Sequence, residues 1–152
     1  MAKRQAFLAV AAVLILGQLG ACETMGPPAR APGEVPAVMA PLPPAEIAPA
    51  HSGKTFYAQY ATGGYYQEFH APDGRTILIE PDGQIYRGTW TADGNRICYA
   101  YPKLNDGVPY CCEVRRGDGV LAHYFVTGGK AGQPAAVVIG AIEGNDLGVP
   151  LE

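Results

Sequence analysis

Five Asp-Gly dipeptides punctuate the chain: Asp73-Gly74, Asp82-Gly83, Asp93-Gly94, Asp106-Gly107 and Asp118-Gly119. They are spaced 9, 11, 13 and 12 residues apart. Gly accepts a positive φ without steric cost, and Asp can bond the backbone two residues on, so each pair marks a tight turn. Pro72 and Pro81 precede two of them, where a fixed φ suits the first corner. Between the turns lie β-branched and aromatic runs at residues 55–61, 65–70, 75–80, 84–91, 95–101, 110–116, 120–126 and 135–142. This punctuation predicts an all-β domain: a single antiparallel meander of about eight short strands, forming a small barrel or a strongly curved sheet. Closure into a barrel would remove both exposed edges. Residues 51–152 carry no amphipathic helical period.

Alternation sorts the strand residues into two faces. Tyr86, Gly88 and Trp90 share one face of their strand, as do Ile97, Tyr99 and Tyr101, and Tyr110, Cys112 and Val114. These faces are assigned to the core, with Gly88 leaving room for large rings. Cys98 and Cys111 then lie together on the opposite side of neighbouring strands. A Cys98–Cys111 disulfide would close a loop of about 14 residues and add roughly 3 kcal/mol on chain-entropy grounds. Cys112 would stay a buried thiol, behaving as a small hydrophobe. Cys98–Cys112 is the alternative and requires a register shifted by one. A vicinal Cys111–Cys112 bond is a third, strained option. The spacing fits neither a zinc site nor a Cys-x-x-Cys redox pair, so no metal and no cofactor are expected.

The first fifty residues have another character. Lys3 and Arg4 precede an unbroken apolar run at residues 6–16. That run is too short to span a bilayer and matches the charged and apolar regions of a secretory signal. It ends in Leu19-Gly20-Ala21-Cys22, which resembles the lipobox of bacterial lipoproteins. The resemblance implies a signal peptide at residues 1–21, removed by cleavage before Cys22, and lipidation of the Cys22 thiol and the freed amine. Several acyl chains on one residue make a stable anchor. Glu23 follows the Cys where Asp would signal inner-membrane retention, so the resemblance implies an outer-membrane anchor facing the periplasm. Residues 23–50 hold eight prolines, seven alanines and no aromatic residue. With Cys22, this stretch is read as a disordered, semi-rigid tether able to reach on the order of 85 Å. The β domain is placed at residues 51–152.

Candidates for chemistry are few. The charge of −3, or −5 once the signal with Lys3 and Arg4 is gone, offers no basic field for nucleic acid. His51 beside Ser52 reads as a linker end. His70 and His123 are strand residues; His123 shares a face with Leu121 and Phe125, which suits a core or rim position. Glu68, Glu80 and Glu113 read as single strand residues facing water. No nucleophile elbow, phosphate-binding loop or His-Glu-x-x-His motif is present, and no catalytic residue is assigned. The surplus is in tyrosine: all nine lie between Phe56 and Phe125. Tyr suits half-wet recognition surfaces. Tyr57, Tyr60, Tyr65, Tyr66 and Tyr101 are the candidate binding surface, against the plain alternative that Tyr favours strands.

Two further resemblances bear on the domain. Tyr86-Arg87-Gly88-Thr89-Trp90 before Asp93-Gly94 looks like a single MORN-type hairpin, without the array. Gly53-Lys54-Thr55, Gly88-Thr89-Trp90, Ile97-Cys98-Tyr99, Cys111-Cys112-Glu113-Val114 and Gly144-Asn145-Asp146 together resemble small secreted all-β domains of alphaproteobacteria, whose activity is unknown. Cys112 stands where that pattern has Tyr. The expected function is that of a non-enzymatic, lipid-anchored envelope protein that binds a protein or cell-wall glycan. A narrower version is similar to periplasmic lysozyme-inhibitor lipoproteins, with residues 102–109 as the inserting loop. The alternative is a small envelope hydrolase using His70 or His123.

Overall fold

The computed structural model describes Ala31 and residues 34–152. The signal peptide, Cys22 and the first part of the tether lie outside the described residues. The elements are β1 (Ala40–Pro41), α1 (Pro44–His51), β2 (Lys54–Tyr60), β3 (Tyr65–His70), β4 (Arg75–Ile79), β5 (Ile85–Asp93), β6 (Arg96–Ala100), β7 (Tyr110–Gly117), β8 (Val120–Phe125) and β9 (Pro134–Glu143). Each of β2 to β8 pairs with the next, all antiparallel, and β9 pairs with both β8 and β2. The result is a closed eight-stranded barrel, with β1 as an extra strand on β7.

The turns follow the predicted chemistry. At Ala71–Gly74 and Glu80–Gly83 the Gly N–H donates back to the residue before Pro. The Asp73 and Asp82 carboxylates accept from the N–H groups of Arg75 and Gln84, two residues on. All five Asp-Gly glycines have positive φ. Four of the pairs sit at hairpin ends; Asp106-Gly107 instead closes a 3-10 turn (Asn105–Gly107) in the longer β6–β7 loop.

The face assignment holds. Trp90, Ile97, Tyr99, Tyr101, Cys112 and Val114 belong to one buried cluster inside the barrel. Tyr110, at the start of β7, is 36% exposed and sits on the rim. A Cβ at Gly88 would fall 2.6 Å from Cδ1 of Tyr101 and 2.3 Å from the Ala100 carbonyl oxygen, so the glycine does make room for a ring. Cys98 and Cys111 are directly opposite across β6 and β7, form a disulfide with Cα atoms 4.0 Å apart, and leave Cys112 as a buried free thiol.

The tether boundary needs correction. Residues 34–50, read from their proline content as disordered spacer, are built onto the barrel. Val35 and Met39 pack over Ala122, Tyr124 and Val137 on the outer face of β8 and β9. Val38 and Met39 cross β7 at Gly117, where a Cβ would fall 2.1 Å from the Val38 carbonyl oxygen. Leu42 donates its N–H to the Val114 carbonyl, and α1 follows. Pro44 tolerates the first turn because its missing N–H has no helical partner there. Burial of Ile47 and His51, both 0% exposed, draws the helix onto the barrel against the cost of Pro49 within it.

Candidate functional site

The two ends of the barrel are built differently. At one end, α1 sits as a plug and carries His51 at its last turn into the interior. There His51 meets the ring of Phe56 at 5.0 Å between centroids, His70 at 5.5 Å and His123 at 5.5 Å. Trp90 lies 5.4 Å from His70 and donates its indole N–H to the Ala71 carbonyl at 2.9 Å. The other end is open. It is formed by the last residue of β2, the start of β3, the start of β7, the end of β8 and the start of β9.

A cavity of about 170 Å³ opens at that mouth. Its walls are Tyr60, Tyr66, Tyr99, Tyr110 and Phe125, with Ala135 and Ala136 between them; Glu68, Cys112 and His123 complete the lining. Tyr60 and Tyr66 stack with centroids 4.4 Å apart, and Tyr99 and Tyr110 lie 5.5 Å apart. The mouth rings come from the ends of separate strands, so closure of the barrel brings them together.

Glu68 ties the cavity to the plug. It is 3% exposed, on the same inward face as Tyr66 and His70. This overturns its reading as a residue facing water. Tyr101 donates its hydroxyl to one carboxylate oxygen, and His70 Nε2 lies 3.3 Å from the other. Burial alone would raise the Glu68 pKa, but His70, the Tyr101 hydrogen bond and His123 outweigh it and hold the carboxyl below its usual value. His70 Nε2 also contacts the Tyr99 hydroxyl at 3.1 Å, while Nδ1 is buried with no hydrogen-bond partner among the described residues.

Hydrogen-bond partners fix the tautomers of His51 and His123. His51 Nδ1 lies 2.8 Å from the Ile47 carbonyl oxygen, which can only accept, so Nδ1 carries the proton. His51 is held neutral: burial, then His123 and His70, push its pKa well below the ordinary value. Its bare Nε2 must therefore accept from His123 Nε2, 3.2 Å away. His123 is likewise neutral, its pKa lowered to about 4, chiefly by burial.

The five candidate tyrosines do not form one surface. Tyr60 and Tyr66 line the mouth. Tyr101 is 1% exposed beneath Glu68 and presents nothing to a partner. Tyr57 points outward and donates to Asp146. Tyr65 is 54% exposed on the outer rim. Sequence reasoning missed Tyr99, Tyr110 and Phe125 as cavity walls, Glu68 as the carboxylate among them, and His51 as part of the interior. His51 was detectable as the residue four after Ile47, the one branched apolar side chain on α1.

Chemically, the interior holds an acid beside an imidazole, as the hydrolase alternative requires, at Glu68 and His70. Both are buried, at 3% and 0% exposure. Thr76, whose hydroxyl touches that of Tyr101, donates to the Phe69 carbonyl. The Cys112 thiol is pushed up to about 12 by burial and by Glu68, away from the thiolate that nucleophilic attack needs. Among the described residues, no group of three or more His, Cys, Asp or Glu is arranged to hold a metal ion.

Fold and site together define a small closed barrel, plugged at one end and carrying an aromatic cavity at the other, a size class that can hold one small ligand. No family model, curated protein or solved structure matches this chain.

Proposed function

We propose that this is a lipid-anchored binding protein of the cell envelope. In this reading Cys22 carries the lipid at the outer membrane facing the periplasm, and the open mouth of the barrel receives part of a protein or cell-wall component. The sequence support for the anchor is the charged start, the apolar run and the Leu19-Gly20-Ala21-Cys22 box together. The observation that carries the binding role is the aromatic cavity at the mouth, left open while the opposite end is plugged. Aromatic walls around a single buried carboxylate are the composition of a ligand site, where a few placed polar groups set orientation.

The 102–109 loop stands beside this mouth, with Val108 57% exposed. A photoreactive residue at Val108 in the full lipidated protein should crosslink a partner in native envelopes. The same residue at Asp93, in a turn at the plugged end, should not. Equal capture at both positions, or none at Val108, would sink the reading. Capture of a lysozyme at Val108, with inhibition of its activity, would select the inhibitor version.

A further inference from the structure

We propose that the mouth cavity is a receptor for a small organic cation of the alkylated-ammonium type, held by the rings of Tyr60, Tyr66, Tyr99 and Tyr110 with its charge toward Glu68. The inference rests on the mouth being the binding end and adds the chemistry of what enters it.

Size comes first. The cavity is about 170 Å³. An apolar cavity of about 150 Å³ holds one benzene ring, so the guest is one ring or one quaternary ammonium head, and a disaccharide is too large.

The walls come next. They are aromatic rings more than polar groups, with Tyr60 and Tyr66 stacked so that each keeps one face uncovered by the other. The Tyr60 hydroxyl already donates to Glu80, and the Tyr99 hydroxyl contacts His70. A sugar would need several unengaged donors and acceptors around its edge. Ring faces carry negative potential and attract a cation, and aromatic cages are the known way of recognising quaternary ammonium groups.

Charge decides between a cation and a neutral guest. At neutral pH the lining tyrosines, the Cys112 thiol and His123 are all uncharged, because burial first, then Glu80 for Tyr60 and Glu68 for Tyr66, Tyr99, Tyr110 and the thiol, disfavour their ionised forms. Against burial, His70 and the Tyr101 hydrogen bond hold Glu68 ionised; His70 does not line the cavity, so the carboxylate is the charge that a guest meets first. A carboxylate offers about four acceptor sites, of which Tyr101 and His70 engage two. An anion would meet this carboxylate in a low-dielectric pocket and be repelled. A neutral guest would gain burial only. A cation gains burial, the ring faces and the carboxylate together.

The test uses the full mature protein in detergent, titrated by calorimetry with choline and with its uncharged isostere 3,3-dimethylbutanol. Choline should bind at least about tenfold tighter. Glu68→Gln should abolish that preference. Because Glu68 has buried partners, its fold is checked by circular dichroism, and Tyr110→Leu on the rim serves as a second variant. It should weaken choline more than the isostere. Competition by phosphatidylcholine vesicles would assign the group to a lipid headgroup; no competition would assign it to a free solute. Equal binding of choline and its isostere overturns the cation and keeps the mouth. Binding of neither, with crosslinking at Val108 retained, also overturns the cation. Loss of both overturns the mouth reading itself.

Discussion

The plugged end and the open end of this barrel use the same strands to opposite effect. At the plugged end, Ile47 and His51 enter from a helix outside the sheet and are 0% exposed. Both ring nitrogens of His51 have a partner, and the rings of Phe56, His70, His123 and Trp90 close around it. At the open end Tyr60 and Tyr66 stack, Tyr99 and Tyr110 meet at a tilt, and Tyr110 and Tyr65 are 36% and 54% exposed. The first end is organised as a core. The second is organised as a core missing one element. That difference separates stability from recognition along the barrel axis, and it can be challenged one end at a time.

The largest effect is expected from the plug. Ile47→Ala removes a fully buried branched side chain, and such truncations cost about 2–5 kcal/mol. We expect about 3 kcal/mol in urea denaturation. Choline binding at the mouth should change little in the protein that remains folded. A loss below about 1 kcal/mol would mean that α1 is a lightly held cover and not part of the core.

Acid should act next, at the histidines where the plug meets the cavity. His123 falls from a reference value of 6.5 to about 4 on folding, so between those values the unfolded chain binds more protons than the folded one. Stability therefore falls as pH drops through this window. For this one residue the loss between pH 7 and pH 5 is about 2 kcal/mol. His51 shifts in the same direction and adds to it. Glu68, whose pKa is lowered, contributes stability that is lost only at more acid pH, as its folded-state value is approached. Urea midpoints at pH 7 and pH 5 measure the change, and His123→Phe should flatten it. A midpoint independent of pH over this range would mean that the imidazoles are charged in the fold or reached by water.

Much of this organisation was written in local chemistry. Pro-Asp-Gly at residues 72–74 and 81–83 carries its own turn, because the Asp side chain and the Gly φ act within four residues. Strand alternation placed Cys98 opposite Cys111 and put Tyr99 and Val114 inside. Two features were decided by distant contacts and so escaped local reading. The segment Pro44–His51, with two prolines, has poor helix propensity; the barrel end it covers makes it a helix. Glu68 alternates with Tyr66 and His70, which points it inward, but a lone carboxylate reads as solvent-facing until His70 and Tyr101 are known to meet it. The mouth was half visible: the tyrosine surplus was in the sequence, but which rings converge depends on how the barrel closes.

The smallest expected effect is the sharpest comparison. Tyr65 begins β3, lies across from Gln59, and is mostly in water on the outer rim. Tyr65→Ser should change stability by no more than about 0.5 kcal/mol, as exposed substitutions usually do. Its neighbour Tyr66 is 6% exposed, stacks on Tyr60 and lines the cavity. Tyr66→Leu keeps an apolar side chain there but removes the ring, so it should weaken choline several-fold while Tyr65→Ser leaves it unchanged. Denaturation and calorimetry on the two variants separate the faces of one strand. If Tyr65→Ser cost as much stability as Ile47→Ala, the rim rings would be holding the barrel shut, and the open end would be a second core.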